Sequence, residues 1–282
     1  MTSIDTNLSL LACQIAIPAT RTARERDIHL LSTGEKVANQ ILHGGIDLVV
    51  LPELSSIEYS RLSFEKLDAL AEPIDGPSFE HWRWFAKQHS CHVVYGFPRK
   101  EHGQFFITIA AVCPDGNLIG HYDKMHLAQF GASMEKEYFT RGRKIFVFEI
   151  KGVRVAPIIC YDIRFPELSR TLALEHKTDL ILHCGAYARD ESFATWHSFA
   201  ITRALENQVF FLSLNRAGED YGSSLFCWPW VDNDTPPVSF SQHSEEFKKI
   251  QVDRQSLIQT REKYSFLADK LSTYSGRRTL AD

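Results

Sequence analysis

Short apolar runs recur along the chain, and most are followed by a stretch whose apolar positions keep helical spacing. Leu8 to Ile17 reads as a buried strand. Residues 22–43 follow as a helix with Leu31, Ala38, Ile41 and Leu42 on its apolar side, ended by Gly44-Gly45. Ile46 to Leu51 is a second strand closed by Pro52, which makes a β-α-β unit. Residues 64–72 and 77–90 read as helices, the second with Trp82, Phe85, Ala86 and His89 on one face, a spacing that fits core packing. Cys91 to Phe97 is the next strand. Gln104 to Cys113 then pairs with Leu118 to Lys124 across Pro114-Asp115-Gly116-Asn117, a hairpin signature. Residues 128–143 form a loop with few apolar anchors, and a loop that long inside a domain points to function or disorder.

The second half repeats this texture. Ile145 to Ile150, a Lys151-Gly152 turn and Val153 to Cys160 give two strands, and Phe165 to His176 has a helical pattern. Thr178 to Cys184 is a buried strand, residues 192–207 a helix and Gln208 to Leu214 a further strand. Shorter strands follow at Ser223 to Trp230, Val238 to Phe240 and Phe247 to Val252, then a helix near 253–262. The alternation predicts a layered α/β domain over residues 1–270, with residues 271–282 a polar tail suited to reaching another subunit.

Composition narrows the function classes. The formal net charge of -4 over 282 residues leaves no basic stripe, so neither nucleic acid nor an anionic membrane is expected as a partner. No apolar run approaches about 18 residues, and residues 1–10 lack the basic start and apolar core of an export signal, which points to a cytoplasmic protein. The six cysteines, Cys13, Cys91, Cys113, Cys160, Cys184 and Cys227, contain no C-x-x-C pair, and most sit in or beside apolar runs. The twelve histidines are dispersed, so no metal site is expected.

Candidate chemistry gathers at strand ends. In Val153 to Glu167 an apolar, β-branched run stops at Cys160 and a helical pattern begins at Phe165. A strand-to-helix turn projects its side chain into a cleft, next to helix amides that lower a thiol pKa and bind a developing oxyanion. A cysteine so placed can equally be a small core residue, since free cysteine is often buried. Glu53 follows Pro52 at the end of its strand, where a carboxylate can line a cleft. Lys124 ends the hairpin, and Glu135 sits in the loop between Lys124 and Cys160. Taken singly, Glu53 and Lys124 could each be solvated side chains.

Together these residues stand in the order of a known family. Leu-Pro-Glu ending at Glu53, Lys124-Met125-His126-Leu127, Glu135 ahead of Gly142, and Cys160-Tyr161-Asp162-Ile163-Arg164-Phe165-Pro166-Glu167 are followed by Trp196, Arg203 to Gln208, Asn215-Arg216-Ala217-Gly218 and Gly222-Ser223-Ser224. The chain resembles the nitrilase, or carbon-nitrogen hydrolase, superfamily over nearly its whole length. The Cys-Tyr-Asp-x-Arg-Phe-Pro run and Arg261 to Asp269 look most like ω-amidases; true nitrilases generally have Cys-Trp-Glu.

The resemblance implies a nitrilase-type α-β-β-α four-layer sandwich, no cofactor, and a homodimer or larger assembly. It implies that Cys160 attacks an amide carbonyl with Glu53 as general base, and that Lys124 and the backbone N–H of Tyr161 hold the oxyanion while Glu135 orients Lys124 or the substrate. A dry pocket would raise the glutamate pKa, while Lys124 and the helix start would lower the thiol. The implied substrate is a short ω-amide of a 2-oxo dicarboxylic acid, which is hydrolysed with release of ammonia. Arg189, Tyr187, Tyr59 and Arg141 are candidates to bind its carboxylate. Arg141, in a usual proline position, and His183-Cys184-Gly185, in place of an Asn-Pro-Ser-like run, depart from the family pattern. So does Val231, where a Pro-x-Gly turn often closes the strand. Cys184 is the rival nucleophile. The alternative functions are N-carbamoyl amino acid hydrolysis, nitrile hydrolysis, or a binding protein that kept the fold.

Overall fold

A computed structural model describes residues 7–42 and 44–274. The first strand shows why the apolar runs are continuous rather than alternating. In β1 (Asn7–Gln14), Leu8, Leu10 and Ala12 face one core while Leu11 and Cys13 face another, so both sides of the strand are dry. The first half continues with α1 (Ala23–Ile41), β2 (Leu48–Val50), the short α2 (Arg61–Phe64) and α3 (Leu67–Leu70), α4 (Pro77–His89), β3 (His92–Glu101), β4 (Gln104–Val112) and β5 (Leu118–Asp123). The second holds β6 (Phe148–Ile150), β7 (Val153–Ile159), α5 (Pro166–Leu174), β8 (Leu180–Cys184), α6 (Phe193–Asn207), β9 (Phe210–Leu214), β10 (Leu225–Cys227) and β11 (Val238–Ser239). The chain then returns through β12 (Glu246–Asp253) to α7 (Arg254–Lys263) and α8 (Phe266–Asp269).

Two six-stranded sheets result, ordered β12-β1-β2-β3-β4-β5 and β11-β10-β9-β8-β7-β6. Each has a parallel centre, β1-β2-β3 in one and β7-β8-β9 in the other, flanked by antiparallel strands. The sheets pack face to face through Leu10, Val50, Val94 and Ile109 on one side and Val155, Leu180, Leu182 and Leu212 on the other. A second core, with Leu30, Val37, Trp82 and Phe85, joins α1 and α4 to the outer face of the first sheet. Trp196, Ala200 and Ala204 of α6 cover the second sheet. The layers are therefore α-β-β-α, as the resemblance implies. Among the described residues no helix is long and apolar enough to cross a membrane.

Several boundaries differ from the sequence pattern. The first strand ends at Gln14, and Ala16 instead makes an isolated bridge to Ala217. The helix expected over 64–72 divides at Lys66 (φ -110°, ψ 16°), a change of direction that lets both Phe64 and Leu67 reach the core between the sheets. The strand before the cysteine stops at Ile159; Cys160 to Arg164 form a 3-10 turn and α5 starts only at Pro166. His43 and residues 275–282, which include most of the expected tail, lie outside the described residues.

Candidate active site

Three segments from different parts of the chain converge between the sheets. After β2, the Pro52-Glu53-Leu54 turn lies flat on Gly96 of β3, where a Cβ would stand 2.5 Å from the Pro52 oxygen and 2.6 Å from the Leu54 nitrogen. Ser55 Oγ donates to the Gly96 carbonyl (3.0 Å) and accepts from its N–H (3.2 Å). From the other sheet, buried Arg216 sends Nη2 to the carbonyls of Glu53 (3.1 Å), Leu54 (3.2 Å) and Ile57 (3.2 Å). The backbone that carries Glu53 is thus pinned from both sides.

Lys124 leaves the end of β5 with its N–H on the Ile107 carbonyl (2.9 Å) and its own carbonyl on the Gly142 N–H (2.8 Å). Its Nζ donates to Glu53 Oε1 at 2.8 Å and to Glu135 Oε1 at 2.6 Å, and all three side chains are 0% exposed. Glu135 opens a 3-10 turn in the 128–143 loop; its Oε1 also accepts from Tyr59 Oη (2.8 Å) and its Oε2 from the Ala128 N–H (2.9 Å). The loop is therefore held at its middle by a carboxylate, which accounts for the scarcity of apolar anchors.

Cys160 occupies the left-handed region (φ 43°), a strained conformation for a side chain with Cβ. Asp162 supports the turn: its Oδ2 accepts from the Ile159 N–H (3.0 Å) and Tyr122 Oη (2.7 Å), and its Oδ1 from the His126 N–H (3.0 Å) and Nδ1 (2.6 Å). The Cys160 carbonyl meets His183 Nε2 at 2.9 Å and Tyr187 Oη at 3.1 Å.

Burial pushes the Glu53 carboxyl up to about 7, against the lowering effect of Lys124. Lys124 itself is pulled down by burial, but Glu135, Glu53 and Cys160 more than offset this and hold the ammonium well above the usual lysine range. The thiol behaves differently from the sequence expectation. Burial and then the Glu53 carboxylate push Cys160 well above the ordinary thiol value, and Lys124 offsets them only in part. Desolvation outweighs the nearby cation because the whole cluster is dry. The resting state is a neutral thiol beside a carboxylate whose Oε2 has no hydrogen-bond partner among the described residues. That oxygen is available to accept a proton.

Cys160 opens into a cavity whose wall includes Tyr59, Phe130, Ser133, Arg164 and Tyr187. Of the residues suggested for the substrate carboxylate, Tyr59 and Tyr187 line this cavity. Arg189 does not: it is exposed, donates to the carbonyls of Tyr221 (3.1 Å) and Gln242 (2.7 Å) and to Ser223 Oγ (3.1 Å), and lies over Phe193. Arg141 is also exposed, with Nε on the Met125 carbonyl (2.8 Å), and lines a different surface cavity. The arginine in the wall is Arg164, whose Nε is buried without a hydrogen-bond partner among the described residues and whose guanidinium lies over Phe130 (5.5 Å) and Phe199 (5.0 Å). Asp190 shares that wall, but its carboxylate is taken up by Ser192 and the Ala132 N–H. The signal for Arg164 was its place four residues after Cys160, on the turn that carries the nucleophile. Cys184, the rival, ends β8 fully buried, and burial pushes its thiol far up. Among the described residues no cluster of His, Cys, Asp and Glu could hold a metal ion.

Comparison with known proteins identifies the family. Residues 12–262 match the carbon-nitrogen hydrolase family. A 2-oxoglutaramate amidase of Bacillus subtilis is 35% identical over 193 residues, 65% of this chain and 71% of that protein. Omega-amidase NIT2-A of Xenopus laevis is 28% identical, covering 80% of this chain and 84% of its own. Among solved structures, a CN-hydrolase superfamily protein from Xanthomonas campestris, XC1258, superposes with a TM-score of 0.78 at 25% identity, covering 96% of this chain and 99% of its own. The chain belongs to the carbon-nitrogen hydrolase family and is a hydrolase of linear carbon–nitrogen bonds.

Proposed function

We propose that the enzyme is an ω-amidase that hydrolyses the terminal amide of a short 2-oxo dicarboxylic acid through a Cys160 thioester. The observation that carries the chemistry is the Glu53-Lys124-Glu135 bridge next to Cys160, with Glu53 Oε2 left free. Above about pH 7 Glu53 is ionised and takes the thiol proton as the sulfur attacks the amide carbon. A raised thiol pKa means that the thiolate does not accumulate; proton transfer and attack proceed together. The oxygen's developing charge is held by the Tyr161 N–H and the Lys124 ammonium. Glu53 then returns the proton to the leaving nitrogen, ammonia departs, and a water deprotonated by Glu53 cleaves the thioester. Glu135 holds Lys124 throughout.

Substrate class rests on Arg164. Arg164 lines the cavity and its Nε is buried without a hydrogen-bond partner among the described residues, a donor suited to a carboxylate, and the relatives named above act as 2-oxoglutaramate amidase and ω-amidase. We assign the carboxylate to Arg164 in place of Arg189 and Arg141, with Tyr59 and Tyr187 shaping the space between it and the thiol. Ammonia release measured across 2-oxoglutaramate, 2-oxosuccinamate, glutamine, asparagine, N-carbamoyl amino acids and simple nitriles tests the reading. A 2-oxo ω-amide should be preferred. A carbamoyl compound or nitrile turned over faster than every ω-amide would reject it while leaving the cysteine chemistry intact.

A homodimer or larger assembly completes the proposal. Phe266 (40% exposed), Leu271 (46%) and Tyr274 (65%) border a surface groove with Arg170 and Leu174 of α5, exposed apolar side chains among charged ones of the kind that a second subunit covers.

A further inference from the structure

His183 is fully buried and takes no part in the chemistry derived above. Its hydrogen bonds form a chain whose direction is fixed from both ends. Trp196 Nε1 can only donate, and it donates to Ser213 Oγ at 2.7 Å. The Cys160 carbonyl can only accept, so His183 Nε2, 2.9 Å away, carries the proton. In a neutral ring Nδ1 is then an acceptor, and the Ser213 hydroxyl, 2.6 Å away, supplies the hydrogen. Burial holds the ring pKa down to about 4, which keeps the ring neutral at neutral pH, and the hydrogen bonds then fix its tautomer.

The far end of the chain is the peptide unit between Cys160 and Tyr161. In a trans peptide the C=O and N–H point in opposite directions in one plane, and no described peptide is cis. Fixing the Cys160 carbonyl, through His183 and through Tyr187 Oη (3.1 Å) on the same oxygen, therefore aims the Tyr161 N–H, the backbone donor assigned to the oxyanion. A donor on the carbonyl also polarises the amide and makes its N–H a stronger donor. The need for such an anchor is visible in the Cys160 backbone, whose φ of 43° is held against its own preference.

We propose that His183, oriented by Ser213 and Trp196, is a positioning residue that sets the direction and strength of the Tyr161 oxyanion donor. The inference rests on the amidase reading and adds to it a residue that acts through the backbone rather than on the substrate.

The test compares amide turnover with alkylation of Cys160 by iodoacetamide, which needs the thiol but forms no oxyanion. His183→Leu removes the Nε2 donor, and His183→Gln keeps an N–H donor at a similar reach. His183→Leu should lower kcat roughly tenfold to a hundredfold, somewhat less than loss of a whole oxyanion donor, with KM changed less than about threefold and the alkylation rate within about threefold of wild type. His183→Gln should recover most of the lost kcat. Wild-type kcat in His183→Leu would overturn the inference, as would an equal fall in turnover and alkylation, which would mark simple collapse of the turn. Should His183→Leu not fold, the same pair of rates is read in Ser213→Ala. There the tautomer is no longer fixed, and kcat should fall a few-fold with alkylation unchanged; an unchanged kcat overturns the inference. The amidase reading fails separately, through absence of ammonia release by the wild type.

Discussion

The central chemical feature of the proposed mechanism is a general base made from burial. Glu53 is raised to about 7 because it is dry, and Lys124 moderates that shift without cancelling it. The sign of the pH dependence follows: below about pH 7 the carboxyl is protonated and cannot accept the thiol proton. kcat/KM should therefore climb with pH through an apparent pKa near 7 and then level, and a limb centred on the ordinary carboxyl value of about 4.3 would contradict the assignment. Glu53→Gln and Lys124→Ala should each lose roughly 10²–10⁴ in turnover while remaining folded by circular dichroism. Arg164→Leu should raise KM about 10- to 100-fold for an ω-amide that carries a carboxylate and leave a neutral short amide nearly unaffected; equal effects on both would remove Arg164 from carboxylate binding. At this scale the sequence was informative about residues that end apolar runs, since Glu53, Lys124 and Cys160 all do. It was less so for Arg189, whose guanidinium is drawn to carbonyls at Tyr221 and Gln242 that lie far along the chain. The thiol pKa was also beyond it, because desolvation depends on what surrounds a residue in space.

Elements place these groups through close backbone approaches that only glycine allows. Gly96 lets the Glu53 turn lie on β3, and Gly142 lets residues 140–142 pass the Lys124 segment, where a Cβ would stand 2.0 Å from the Asp123 oxygen. Gly96→Ala should therefore lower stability by roughly 1–3 kcal/mol, seen as a fall in melting temperature, and should reduce kcat by displacing Glu53. An alanine variant with wild-type stability and turnover would show that the turn does not need this contact. The strands and long helices were legible because two-sided burial writes continuous apolar runs, as in β1 and β8. The break at Lys66 and the 3-10 turn from Cys160 to Arg164 were not, because both arise where the chain bends to fit a core already set by other elements.

For the whole molecule, the two sheets are joined by the return of β12 to β1 and by buried polar ties, such as the Ser224 N–H (2.9 Å) and Oγ (2.7 Å) donating to Gln14 Oε1. The alternation of strands and helices foretold the layering, whereas the pairing of β12 with the first strand joins residues about as far apart as the chain allows and leaves no local pattern. Sedimentation should give a dimer or larger species; a stable, fully active monomer would contradict the assembly proposed for the groove beside α8. The account as a whole stands on a covalent acyl-enzyme at one thiol. Acid quenching during steady turnover of an ω-amide, followed by intact-protein and peptide mass spectrometry, should find a single adduct with the mass of the substrate less ammonia, on the peptide that contains Cys160. An adduct on Cys184, or undiminished turnover by a Cys160→Ala variant, would contradict it.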